Sequence, residues 1–491
     1  MKTTKVNLNP PPKTPIGYTW SRYLESFVSY FFSCIFVLVL TVGGVVYHYY
    51  QTLKGNEKSD PSSIVDDQGP YRDFKKLKAT KDLRYYALQL GLDLHEYRVQ
   101  TKDGYILILH NLFDPKESTE DKDKREPFLL QHGLLSCSGA FLSGGYQSLA
   151  YYFHKAGHDV WLGNNRCWFE PRHATIEGNL MYNEEFWDWD VRELAYYDMP
   201  CLIDNVLSHK PHHETLFLVG HSQGCTQNFL MLRNPDLDAW HRKVRYFFPL
   251  APAIYPGRLF HSRGFLRFMR HRSQTSFRWI FGRYSFLRII TLARNNLYST
   301  RFFSYMSYVM FSFLFHWSGR KWNPSRKLWH IHFIFNVTFV STKLMSWWLA
   351  EWLPQSFANE LQPAKAYKTD AHFSTALTDE KLQKDDSKTY FPYKESWFDE
   401  VSCIVPMVAF IGGQDFLVDG KRLASHMKNF EPSYTSDNLR VVELVDYSHL
   451  DVVWAADLQP RIAKVIVDTV RRLEQATTDE QETAGQEKQV S

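Results

Sequence analysis

The chain has 491 residues with a formal net charge of +4, 44% hydrophobic and 16% aromatic content. This is enough for one large domain with an insertion, and too apolar for a disordered chain. The six cysteines form no CxxC pair, which removes zinc-finger and thioredoxin-like readings; buried free thiols are expected.

Residues 1–26 are expected to form a polar tail with prolines at 10, 11, 12 and 15. Phe27–Tyr47 follows, 21 residues without a charge, 13 of them Phe, Ile, Leu or Val. As a helix it spans ~31 Å, the hydrocarbon thickness of a bilayer. No polar face marks it as a core helix, and it is longer than a cleaved signal's apolar region. A single-pass transmembrane helix is expected. Lys2, Lys5, Lys13 and Arg22 precede it, against Lys54 and Lys58 close behind, which places the N-terminus in the cytosol and the rest outside or in a lumen. A lipid-droplet monolayer would instead require the segment to enter and return, bending at Gly43-Gly44, and 21 residues are short for that. Endoplasmic reticulum, lipid droplet and plasma membrane stay open as its location.

Residues 48–80 read as a linker rich in breakers. The globular part runs over 81–255 and 396–474. His95–Thr101, a Lys102-Asp103-Gly104 turn and Tyr105–His110 form a hairpin. Short apolar strands follow at Phe128–Gln131, Asp159–Leu162 and Leu216–Val219, each running into glycine or His-Gly, with helix-length stretches at Gln147–Ala156 and Glu193–Leu207. Strands at Ile404–Ile411 and Leu439–Leu444 and a helix at Ala455–Leu473 resume the pattern. Alternating strands and helices predict an α/β class with a mostly parallel, doubly covered sheet. Between the two parts lies an insertion, 256–395. Its stretch Pro256–Ala350 holds 15 Lys plus Arg, no Asp or Glu and 24 aromatics, so the remainder of the chain sums to −11. Residues 475–491 are polar and expected to be disordered.

Gly220-His221-Ser222-Gln223-Gly224 sits between a strand and a predicted helix at Cys225–Arg233. A G-x-S-x-G alone is common by chance; between a strand and a helix it makes the sharp turn that presents a nucleophilic serine. Serine needs a base oriented by an acid. The chain order Ser, acid, His selects Asp415, after a late strand, with Asp419 four residues on as its competitor, and then His449. Two backbone N–H groups must receive the developing oxyanion. Gln223, after the nucleophile, and Leu134, in the loop His132-Gly133-Leu134-Leu135, are the expected donors. Nothing in the sequence asks for a metal or other cofactor.

Gln131–Leu135, Gly163-Asn-Asn-Arg166, Phe186-Trp187, Tyr197-Asp198-Met-Pro200, the Gly220–Gly224 turn, Gly412–Asp419 and Tyr447–Asp451 occur in one order. Together they resemble the acid lipase family: gastric and lysosomal acid lipases and, with the N-terminal anchor, the fungal membrane-anchored steryl ester hydrolases. The resemblance covers about residues 80–470. It implies an α/β-hydrolase fold with a helical lid inserted after the nucleophile half, and a Ser222, Asp415, His449 triad with Leu134 and Gln223 as oxyanion donors. The implied activity is carboxylic ester hydrolysis on neutral lipid, as a sterol esterase or triacylglycerol lipase, with steryl esters ahead of triacylglycerol. Acyl transfer to an alcohol and a non-catalytic membrane scaffold are the alternatives. The basic, aromatic insertion departs from the family pattern. Gly264–Phe286 and Phe302–Trp317 are expected to anchor at a lipid surface, against the alternative of aromatics packing inward. Membrane lipid is the expected partner; nucleic acid is not.

Overall fold

The computed structural model describes residues 6–13, 20–55, 77–166, 168–317, 319–323, 326–360 and 389–475. Cys167, the centre of the linker and the tail beyond 475 lie outside the described residues. Eight strands form one sheet: β1 Asp93–Gln100, β2 Ile106–Phe113, β3 Pro127–Gln131, β4 Asp159–Gly163, β5 Leu216–His221, β6 Val244–Leu250, β7 Met407–Gly412 and β8 Leu439–Leu444. Their order is β1-β2-β4-β3-β5-β6-β7-β8. The β1–β2 hairpin is antiparallel, β2 runs antiparallel to β4, and all later pairs are parallel. Buried clusters cover both faces, so β3, β4 and β5 are buried at every residue. This is the α/β-hydrolase fold.

The first helix, α1, runs over Trp20–Leu53, 34 residues, beyond the 27–47 expected at both ends. It is apolar and long enough to cross a membrane. It does not stand alone. Its Ser29 and Ser33 hydroxyls donate to the carbonyls of Arg278 and Ile280, and both serines are buried. The sequence showed no polar face because these are small hydroxyls and glycines rather than charges.

In the core, α2 is Leu149–Lys155, α3 Met199–Ser208 and α4 Gln223–Leu232. Met199–Ser208 is preceded by a wide turn at Leu194–Asp198, so Glu193–Leu207 is not one uniform helix. β6 is a strand the sequence reading passed over, although Tyr246-Phe247-Phe248 is a buried aromatic run. The predicted closing helix, expected at Ala455–Leu473, runs over 458–475 with a wider turn at Gln459–Ala463, and Asp451–Trp454 is a separate turn before it.

The insertion is helical: α5 Gly264–Arg270, α6 Gln274–Phe281, α7 Arg288–Leu297, α8 Arg301–Phe315, α9 Arg326–Ile334 and α10 Thr342–Leu349. Most of its aromatics face inward: Phe277, Phe281, Trp322, Trp329, Phe335 and Trp348 are buried. Within Gly264–Phe286, Phe277, Phe281, Tyr284 and Phe286 are buried and Phe268 is exposed; within Phe302–Trp317, Phe303 and Trp317 are buried and Phe302 and Tyr305 are exposed, so each stretch divides between inward packing and open surface. Part of the positive charge of Pro256–Ala350 pairs with acids outside that stretch. Arg283 pairs with Glu25 and Glu184, Lys343 with Asp188, Arg270 with Glu351 and Lys321 with Asp446. Helix α11, Gly420–Phe430, follows β7.

Candidate active site

Three loops at the carboxyl ends of parallel strands converge. Ser222 follows β5 with φ 53° and ψ −116°, a conformation that costs a non-glycine residue of order 1–3 kcal/mol. The bend holds because Gly224 lies against the β3 loop; a Cβ there would sit 2.5 Å from the Gln131 carbonyl oxygen. Gly133 approaches just as closely from the other side, where a Cβ would be 2.9 Å from the Ser222 Cβ. Only glycines let the two loops come together at the serine.

His449 Nε2 lies 2.7 Å from Ser222 Oγ, and its Nδ1 lies 2.6 Å from Asp415 Oδ2. Asp415 is fixed in turn: its Oδ1 accepts from the Leu417 and Val418 amides at 3.0 and 3.2 Å. Asp419 has another job. It caps α11, accepting from the Arg422 amide at 2.9 Å, and burial raises its pKa. The structure therefore brings Ser222, Asp415 and His449 together and leaves Asp419 outside. The Leu134 and Gln223 amides donate to no acceptor among the described residues, so both are available to a ligand.

Two histidines on the flanks had no role in the sequence reading. His221 Nε2–H donates to the His449 carbonyl at 3.1 Å and so pins the base from behind. His132 Nε2 accepts the Asn165 amide, so its Nδ1–H donates to the Gly133 carbonyl, fixing the Leu134 loop. Burial pushes His132 down to about 4 and His221 down to about 3, so both are neutral donors. Asp451 holds the His449 loop through the Ser448 amide and hydroxyl at 2.6 and 2.8 Å. A serine, histidine or aspartate next to a motif is a usable signal; which neighbour it binds is not.

The Asn-Asn-Arg and Tyr-Asp-Met-Pro motifs and the Lys102-Asp103-Gly104 turn meet in one buried cluster. Arg166 bonds Asp198 through Nε and Nη2 at 3.0 and 2.6 Å and Asp103 through Nη1 at 2.8 Å. Asn165 joins the Gln131 and Gln227 side chains directly behind the Leu134 loop. These motifs position the site and do not touch the serine.

The cap closes over all three loops. Trp317 lies parallel to the His449 ring, 10° from coplanar with centroids 6.0 Å apart. Trp348 Nε1 donates to the Gln223 side chain at 2.8 Å. Val337 donates its amide to the Leu135 carbonyl, and both residues have positive φ. Ser222 and His449 are 7% and 2% exposed. A small cavity remains beside Gly133 and Gln223, with room for about one water, lined by Trp168, Trp189, Phe339 and Leu344 and by the polar His132, Asn165, Arg166 and Thr338. Asn336-Val337-Thr338 has the form of an N-glycosylation sequon, and it is folded away: the Asn336 side chain is buried and donates to the His332 carbonyl at 2.8 Å.

The family model described as "Partial alpha/beta-hydrolase lipase region" matches residues 83–145. Sterol esterase 2 of Saccharomyces cerevisiae is 35% identical over 419 residues, covering 82% of this chain and 75% of that protein. Human gastric triacylglycerol lipase is 26% identical, over 80% of this chain and 92% of its own length. The lysosomal acid lipase/cholesteryl ester hydrolase of Macaca fascicularis is 26% identical, over 78% and 88%. With the fold, this likeness across most of both chains makes the protein a carboxylic ester hydrolase that belongs to the acid lipase family, the group of the yeast sterol esterases and the mammalian gastric and lysosomal lipases.

Proposed function

We propose that the protein is a membrane-attached serine lipase that hydrolyses neutral lipid esters, steryl esters ahead of triacylglycerol, through Ser222, His449 and Asp415. The observation that carries this reading is the Ser222–His449–Asp415 chain of contacts at 2.7 and 2.6 Å. Ser222 Oγ attacks the ester carbonyl while His449 Nε2 takes its proton. The Leu134 and Gln223 amides receive the oxyanion. Asp415 holds the imidazole with Nδ1 protonated and stabilises the imidazolium. His449 then returns the proton to the departing alkoxide, which leaves as the sterol or glyceride alcohol. A water deprotonated by His449 attacks the acyl-serine, releasing the fatty acid and restoring the Ser222 hydroxyl.

The preference for steryl esters rests on the greater likeness to the yeast sterol esterase. The cavity beside Gln223 has room for about one water, far below the ~300–1,000 Å3 of pockets that hold drug-sized ligands, so a long-chain ester requires the cap to move. α1, with its apolar exterior, is the membrane attachment.

The test is turnover by the purified full chain of steryl, triacylglycerol and phospholipid esters, with a fluorophosphonate label. Ser222→Ala is expected to abolish the label and cut hydrolysis by ~10³-fold or more with folding intact. Retained labelling would reject Ser222, and a preference for phospholipid would reject the substrate class.

A further inference from the structure

Accepting the lipid-ester reading, we propose that α1 lies in the plane of a lipid surface as part of the cap, rather than crossing a bilayer, and that the chain is built to sit on a phospholipid monolayer over oil. The helix has two faces along its whole length. On one, Leu24, Phe31, Leu38, Val42, Val46 and Leu53 are exposed, at helical spacing from end to end. The opposite face is docked throughout. Arg22 and Glu25 pair with Glu184 and Arg283 at the first turns. Ser29 and Ser33 bond α6 carbonyls. Phe36 packs on Phe281 with centroids 4.9 Å apart. At Gly44 a Cβ would lie 3.0 Å from Met310 Sδ and 3.5 Å from Phe313. Tyr47 meets Phe313 at 5.6 Å and His48 meets Tyr305 at 5.5 Å.

At 1.5 Å per residue the 34 residues span about 51 Å, and the hydrocarbon of a bilayer is ~30 Å thick. If α1 stood across a bilayer in this docked state, α6 and α8 would be carried into the hydrocarbon with it. Arg278 and Arg283 would follow, and buried cations at that depth are expensive. The chain ahead of α1 argues the same way. Asn9 hydrogen-bonds the Asn234 and Asp236 side chains, and Lys13 reaches Asp103 at 3.4 Å. Residues on both sides of α1 therefore rest on the same domain, which a single span separating them would forbid.

The exposed apolar face continues into the cap. Exposed Phe268 stacks on Phe36 and exposed Tyr305 meets His48. Cations rim it: the Arg272 guanidinium lies over Phe268 at 4.5 Å and Lys54 Nζ over Tyr50 at 4.6 Å. An apolar strip with a basic rim matches acyl chains edged by anionic headgroups. The strip leads to the catalytic loops, since Tyr47 contacts His316, and the next residue, Trp317, covers His449.

The test uses the full chain on two surfaces: phosphatidylcholine–phosphatidylserine vesicles and triolein emulsions coated with the same lipids. A fluorophore is placed in turn at Leu24, Leu38 and Leu53, and quenched by lipids nitroxide-labelled at graded depths. The expected result is one shallow depth at all three positions and binding to the emulsion at least as tight as to vesicles. Leu38→Asp with Val42→Asp is expected to weaken emulsion binding about tenfold or more, with hydrolysis of a water-soluble ester in detergent within about twofold. Epitopes at the two ends of the chain should be cut by protease from the same side of sealed microsomes. Depth that runs through the bilayer from Leu24 to Leu53, or ends on opposite sides, would overturn the in-plane arrangement while leaving ester hydrolysis untouched. Failure to bind either surface with detergent activity intact would overturn it and membrane attachment together.

Discussion

Two buried arginines show how differently the sheet core and the cap are held. Arg166 in the core has no exposed side-chain surface and sits between Asp103 and Asp198, whose charges raise its pKa despite burial. Arg294 in the cap is equally buried at 1% exposed, but its partners are the Asn336 carbonyl, the Asn295 side chain and the face of Phe169. Burial pushes it down to about 10. The core neutralises its buried charge with carboxylates on its own loops, which fixes those loops relative to one another. The cap has no acid between Pro256 and Ala350, so its cations reach to neighbouring parts of the chain or settle for carbonyls and rings. A half-exposed ion pair of this kind is worth only ~0–1 kcal/mol, so the cap is held chiefly by buried aromatics such as Phe277, Phe281 and Trp347, which share one apolar cluster with Leu218 and Phe247 of the sheet.

The sharpest break of that comparison is inside the core loops. Asp415→Asn is expected to reduce turnover by ~10⁴-fold with little change in KM, because the imidazole loses its orienting carboxylate. Asp419→Asn keeps a helix-capping side chain and is expected to stay within about tenfold of the parent. Steady-state kinetics on one soluble ester decide it; equal losses would mean that the loop, not the carboxylate, is what matters.

Removing a core charge should unfold rather than merely slow. Asp198→Ala leaves Arg166 buried with one partner, and a loss of about 3–5 kcal/mol is expected in denaturant titration. Lys321→Ala, a cap-to-core pair at the surface, should cost under about 1 kcal/mol by the same measurement. If the two losses are alike, the core and cap are not held differently.

Acidity separates buried from paired groups. Burial lowers His132, His154 and His158 to about 4 and His221 and His332 to about 3. Below the unfolded value of ~6.5 the unfolded chain binds protons that the native histidines refuse, so each costs up to ~1.4 kcal/mol of stability per pH unit as pH falls toward its folded value. Glu193 and Asp451 act oppositely: burial raises them to about 7 and about 6, and their protonation favours the fold as pH falls from 7 toward 4.5. With His316, which burial also lowers to about 4, six groups oppose two, so the unfolding midpoint is expected to drop between pH 6 and pH 4.5. A midpoint that rises over that range would contradict the burial of these histidines.

The smallest effect concerns the cap's contact with the base. Trp317→Ala is expected to raise hydrolysis of a short, water-soluble ester a few-fold in the absence of lipid, and to narrow the gain on adding a lipid interface. An unchanged ratio of the two rates would show that the Trp317 ring does not limit access.

The sequence alone was enough for the α/β pattern, the turn bearing Ser222 and the order Ser222, Asp415, His449, because these are local: a strand's apolar run, two glycines at a bend, a carboxylate or imidazole just past a strand end. It also marked Asp198 and Arg166 as motif residues and Asp103 as a turn residue, without showing what joins them. Tertiary structure supplied the link by joining loops 63 and 32 residues apart into one buried ion-pair cluster. It likewise decided between Asp415 and Asp419, four residues apart, because only the fold says which side chain faces His449 and which caps a helix. α1 was legible as apolar, but its docking face was not. Composition reports that serines and glycines are small, but not that they form the face on which a helix docks, since that depends on a partner surface more than 200 residues later in the chain.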